Sequence, residues 1–161
     1  MRNLVRASVL LLALVLSEPV LAGPLEDANA AYGKEDYATA LRLFRPLADQ
    51  GDASAQFMLG VMYADGQGVP KDYAQAVKWY RLAADRGYAR AQFNLGLMYA
   101  SGQGVPKDYA LAYMWCNLAA AGASDADARE RAVKARDELA SMMTPAQVAE
   151  AQRMSREWQP K

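Results

Sequence analysis

Residues Gly66 to Ala76 read GQGVPKDYAQA and Gly102 to Ala112 read GQGVPKDYALA, so two glycines beside a lysine occur twice, 36 positions apart. A glycine-rich turn can present backbone N–H groups to an anion, and a lysine beside it adds charge, which is the chemistry of phosphate binding. The spacing here does not suit that chemistry. A Walker-type loop places lysine directly after its second glycine and a hydroxyl residue next. In this chain Gly68 is followed by Val69-Pro70 and Lys71 by Asp72. Pro70 removes one N–H from the would-be cradle, and a carboxylate at Asp72 repels phosphate. The loop therefore reads as a structural joint used more than once.

Other reactive groups are sparse. The chain of 161 residues has no histidine, which removes the usual neutral-pH general base, the Ser-His and Cys-His pairs and most zinc sites. No serine has a lysine three residues on, so that route to an activated hydroxyl is closed too. The carboxylate pairs Glu35/Asp36 and Asp125/Asp127 fall at turns and helix starts, where capping accounts for them, and Glu26 and Asp27 suit a first helical turn. Cys116 is the only cysteine, so no internal disulfide can form, and its place among apolar residues predicts a buried, inert thiol. Trp79, Trp115 and the tyrosines recur at helical spacing and are expected in the core. Basic and acidic residues balance at 18 against 18, which gives no basic surface for nucleic acid. No catalytic residue, cofactor or metal site is expected.

The elements that carry these residues follow from periodicity. Residues 1–22 have the pattern of a secretory signal: Arg2 and Arg6, then the apolar run Val9 to Leu16, then Val20-Leu21-Ala22 before Gly23. Cleavage after Ala22 is expected, because the apolar run is shorter than the roughly 20 residues of a membrane span. Retention of this segment as an anchor is the competing reading. The remainder is alanine-rich with few β-branched residues, which favours closely packed helices.

Shifting the chain by 36 residues aligns Gly66 to Ala84 with Gly102 to Ala120 at 14 of 19 positions, and Ala53 to Ala64 with Ala89 to Ala100. A fixed period of this length marks stacked repeats. Each period holds two amphipathic helices, with Ala55, Leu59, Met62 and Tyr63 on a face of the first. Tyr73, Ala76, Trp79, Tyr80 and Ala83 mark a face of the second. Gly66 is placed to stop the first helix, Pro70 to open the second, Asp72 to cap it or lie in its first turn, and Gly87 to close the unit. After Ala120 the period slips, and two further helices are expected, the last opened by the capping box Thr144-Pro145-Ala146-Gln147.

The unit A-x-A-Q-x-x-L-G-x-M-Y-A-x-G-x-G-V-P-K-D-Y-x-x-A-x-x-W-Y-x-x-A-A-x-x-G resembles the Sel1-like repeat, a helix-turn-helix module related to the tetratricopeptide repeat. Ala53 to Gly87 carries it whole. Ala89 to Ala120 departs at Cys116 and at the shifted glycine, and Leu25 to Gly51 is a degenerate copy. The resemblance implies an all-α fold: a right-handed α-solenoid with a C-terminal helical cap. The division expected is residues 1–22 signal, 23–52 first repeat, 53–88 and 89–123 repeats, and 124–161 cap. The resemblance also implies a scaffold or adaptor that binds another protein. A cysteine-rich branch of similar proteins is linked to β-lactam binding or hydrolysis. This chain lacks the cysteine pairs of that branch, so a cell-wall-related or β-lactam-directed enzyme is the alternative and not the main reading.

Positions where the two good copies differ along the first helix are Ser54/Arg90, Met58/Asn94, Val61/Leu97 and Asp65/Ser101, spaced four, three and four apart. They form one helical stripe. Packing letters repeat while these do not, so Ser54, Met58, Arg90 and Asn94 are the candidate protein-binding residues on a concave surface lined by first helices. The alternative is an ordinary solvated face. The expected molecule is a monomer in the periplasm or secreted, with no stable membrane insertion once the signal is cleaved.

Overall fold

The computed structural model describes residues 23–161. The expected signal segment, residues 1–22, lies outside the described residues. Those described form eight α-helices and no strand: α1 (Pro24–Gly33), α2 (Tyr37–Asp49), α3 (Ala53–Asp65), α4 (Tyr73–Asp85), α5 (Ala89–Ser101), α6 (Tyr109–Gly122), α7 (Ala126–Ser141) and α8 (Pro145–Glu157). Neighbours in sequence pack on one another from α1 to α7, which gives an all-α repeat fold of stacked helix pairs.

The period shows in how the helices begin and end. Asp52, Asp72 and Asp108 are N-caps whose carboxylates accept from the N–H groups of Ala55 at 2.7 Å, Gln75 at 3.0 Å and Leu111 at 2.9 Å. Gly66 and Gly102 are left-handed C-caps at φ 75° and 73°, and each donates its N–H to the carbonyl of Met62 or Met98. Such an angle strains any residue with a Cβ. Pro70 does not open the second helix as the sequence suggested. Helix α4 begins at Tyr73 with Asp72 as its cap, and Pro70 lies two residues earlier in the loop. The reason is that the Asp72 carboxylate satisfies a free first-turn N–H, that of Gln75, whereas proline merely lacks one. The Asp72 N–H is itself taken, by the Tyr63 carbonyl at 2.9 Å, and Asp108 bonds Tyr99 in the same way at 3.0 Å.

The second glycine of each loop joins one repeat to the previous one. A Cβ on Gly68 would lie 2.9 Å from the Tyr37 carbonyl oxygen, and one on Gly104 would collide with the Tyr73 carbonyl. Each loop therefore rests on the start of the second helix of the preceding pair. Side chains repeat the joint at the same 36-residue shift. The amide of buried Gln56 donates to the Ala48 carbonyl at 3.0 Å, and that of Gln92 to Ala84 at 3.2 Å. Arg45 donates to the Tyr63 hydroxyl, as Arg81 does to Tyr99.

Two main clusters form the core. Phe44, Leu59, Met62 and Trp79 fill the first, and Tyr80, Leu95, Met98, Trp115 and Cys116 the second. Gly60 sits against the Tyr80 ring and Gly96 against the Cys116 sulfur, so the missing side chain on α3 and α5 is what lets the partner helix approach.

At the C-terminal end α6 is apolar on most of its circumference and is covered by α5, α7 and α8. Helix α7 continues the stack. Helix α8, opened by the full Thr144–Gln147 capping box, returns onto α6. The Trp158 ring then meets Trp115 edge-on at 6.2 Å, and the Lys161 N–H donates to the Asp85 carbonyl at 2.7 Å.

Candidate functional site

The groups that could have done chemistry have structural occupations. Asp36 caps α2, and the backbone N–H of Thr39 holds its carboxyl below the usual range. Asp125 caps α7 by accepting from Ala128 at 2.7 Å, and Asp127 lies in the same first turn. Burial pushes the Cys116 thiol up to about 12, where thiolate chemistry is out of reach near neutrality. Trp79 and Trp115 are buried in the two clusters.

The four stripe residues separate. Arg90 is exposed near the start of α5 and has no ion pair or hydrogen bond among the described residues. Ser54 is half-buried at the corresponding place on α3. Met58 is half-buried and packs on the cluster that contains Phe44. Asn94 is half-buried beside Tyr80: burial pushes that phenol up to about 12, and a hydrogen bond with the Asn94 side chain pulls the other way. Phe44 and Tyr80 are themselves one period apart. Met58 thus packs into an apolar cluster, while Asn94 lies against a phenol. Of the four, Arg90 alone is exposed.

Two depressions lie along α5. The larger, about 610 Å³, lies between α3, α5, the end of α6 and the start of α7. Phe57, Phe93, Ala119 and Ala132 give it an apolar lining, and Arg90 and Arg131 contribute two guanidinium groups. Tyr88 stands at its edge with its ring 5.4 Å from Phe57. Tyr88 is also the N-cap of α5 and makes no side-chain cap bond, whereas Asp52 at the equivalent place caps α3. The smaller depression, about 230 Å³, is bordered by Asp65, Lys71, Tyr73 and Leu97, and Asn94 borders both. Arg90 and Asn94 are therefore brought together on one cavity. Ser54 and Met58 line neither depression.

Sequence reasoning did not name Phe57, Phe93, Tyr88 or Arg131. The two phenylalanines repeat between copies and so read as packing residues, although both are only half-buried. Tyr88 was within reach, since comparing the copies one turn earlier shows aspartate at 52 and tyrosine at 88. Arg131 lies beyond the last good repeat, where there is no copy to compare.

Comparison with known proteins agrees with this architecture. A family model described as the Sel1 repeat matches residues 29–52, 53–88 and 89–124. A protective antigen of uropathogenic Escherichia coli strains, displaying an SLR fold, is 32% identical with a TM-score of 0.76. That match covers 84% of this chain and 30% of the antigen, so the chain spans under a third of the antigen's length. A Sel1 repeat protein from Oxalobacter formigenes is 36% identical with a TM-score of 0.60, over 69% of this chain and 86% of that one. Among curated proteins no significant match to the chain was found.

Proposed function

Since the chain belongs to the Sel1 repeat family, whose members are typically protein-interaction scaffolds, we propose that it is an exported, non-catalytic scaffold. It holds a protein or peptide partner on the face built from α3, α5 and α7. The observation that carries this reading is the cavity of about 610 Å³ on that face, which exposes part of Phe57 and Phe93 and is bordered by Arg90, which has no ion pair or side-chain hydrogen bond among the described residues. Cavities of that size and lining suit a ligand's side chains. Export to the periplasm or beyond rests on the signal pattern of residues 1–22 and on expected cleavage after Ala22. Among the described residues no helix is long and apolar enough to cross a membrane.

Site-specific photo-crosslinking in intact cells tests the proposal. A crosslinker at Arg90 should yield a discrete protein adduct, while one at exposed Lys78 on α4 or Glu150 on α8 should not. Adducts at Lys78 or Glu150 and none at Arg90 would move the binding surface elsewhere. An intact mass beginning at Gly23 in the same cells would establish processing, and one beginning at Met1 would leave the scaffold tethered.

A further inference from the structure

We infer that the cavity between α5, α6 and α7 recognises an acidic peptide segment in which a carboxylate lies next to a bulky apolar side chain. This rests on the scaffold reading above and specifies its ligand.

Three observations fix the chemistry. First, the half-buried Phe57, Phe93 and Ala128 supply apolar surface that helix packing has left open, and it favours an apolar side chain. Second, Arg90 and Arg131 border the same space, and neither forms an ion pair or side-chain hydrogen bond within the described residues. The one carboxylate in the lining, Asp125, is engaged by the Ala128 N–H at the start of α7. Two guanidinium groups against this one carboxylate leave the cavity lining with net positive charge. Guanidinium groups offer paired N–H donors suited to carboxylates. Third, the cavity does not stand alone. Asn94 links it to the smaller depression with Leu97, Gln103 and Tyr73, so the two form a strip along α5. A helix of 13 residues is about 20 Å long, the reach of about six residues of extended chain. A strip of that shape fits a peptide better than a compact small molecule. The ligand's carboxylates lie at the arginine end, and its neutral part runs towards Leu97.

Three fluorescein-labelled decapeptides test this on the folded mature chain. They share a central Phe-Leu pair and carry four glutamates, four glutamines or four lysines around it. Fluorescence anisotropy at low salt should rank them glutamate, glutamine, lysine, with roughly threefold to tenfold between the first and last. That is the effect expected of two exposed charge contacts. Half-molar salt should compress the ranking. The double reversal R90E/R131E should invert it, and R90K/R131K should keep it. Both arginines are exposed, and circular dichroism will confirm that the variants fold. Equal affinities for the three peptides, or a ranking unchanged by the double reversal, would overturn the inference, as would failure of every peptide to bind. Crosslinking at Arg90 alongside such a result would leave the scaffold reading intact and remove only the acidic specificity.

Discussion

At the scale of single residues, the most demanding position is Gly60. A Cβ there would lie 2.5 Å from two carbons of the Tyr80 ring, which cannot swing away because Tyr80 is itself 3% exposed. Alanine gains about 1 kcal/mol in helix propensity, but overpacking a core costs about 1–3 kcal/mol. Gly60→Ala should therefore lower the urea midpoint, and a variant at least as stable as the parent would refute the contact. A second residue-scale expectation concerns alkali. Tyr80 and Cys116 are pushed up to about 12 by burial, from ordinary values of 10.0 and 9.0. Below about pH 8 both are protonated in folded and unfolded chains alike and contribute almost nothing to the pH dependence. Above it the unfolded chain releases protons that the folded chain keeps, so stability falls as pH rises towards 12. Each group adds about 1.4 kcal/mol per pH unit within its window. Urea titrations between pH 8 and 11 should show the fall, and Cys116→Ala should remove the part that starts near 9.

At the scale of elements, the repeated loop carries the clearest test. Gly104 has φ +71° and its Cβ direction is filled by the Tyr73 backbone, whereas Gly33 at the end of α1 has nothing within 4 Å. Gly104→Ala should cost about 2 kcal/mol or more, through left-handed strain and collision together. Gly33→Ala should be neutral or stabilise by up to about 1 kcal/mol. Thermal melts of the two variants provide the check. These elements also show how far the sequence could be read. Helix periodicity, the caps at Gly66 and Thr144 and the burial of Cys116 are local or repeat-borne, so they were legible. Pro70 was misplaced because proline and aspartate both mark helix starts, and only geometry shows which one caps. The joint made by Gly68 was hidden for another reason. A glycine required by contact with the preceding repeat looks the same in sequence as one required by a turn. The candidate surface was half legible: of the four residues singled out by comparing copies, Arg90 and Asn94 line one cavity, while Ser54 and Met58 line neither depression.

At the scale of the whole molecule, the C-terminal end decides how the stack is closed. Helix α8 reaches Tyr113 of α6, and Trp158 and Lys161 extend that cover to Trp115 and Asp85. Truncation after Thr144 should expose this surface, lower the melting temperature and raise binding of a hydrophobic dye. Lys161→Ala, which keeps the backbone bond to Asp85, should cost no more than about 1 kcal/mol, because the ammonium lies 3.7 Å from Asp85 with 78% of its side chain exposed. The opposite behaviour would assign the closure to the terminal charge and not to the helix. The joints, finally, have a direction. Gly68 settles on Tyr37 and Gly104 on Tyr73, so each of the two good repeats is seated on the unit before it. Such a joint makes length a quantity that gene duplication can change by whole units. One more copy of residues 53–88 spliced in ahead of Ala89 would meet joints of a kind already present twice, and the row of first helices would lengthen while the closed end stayed as it is.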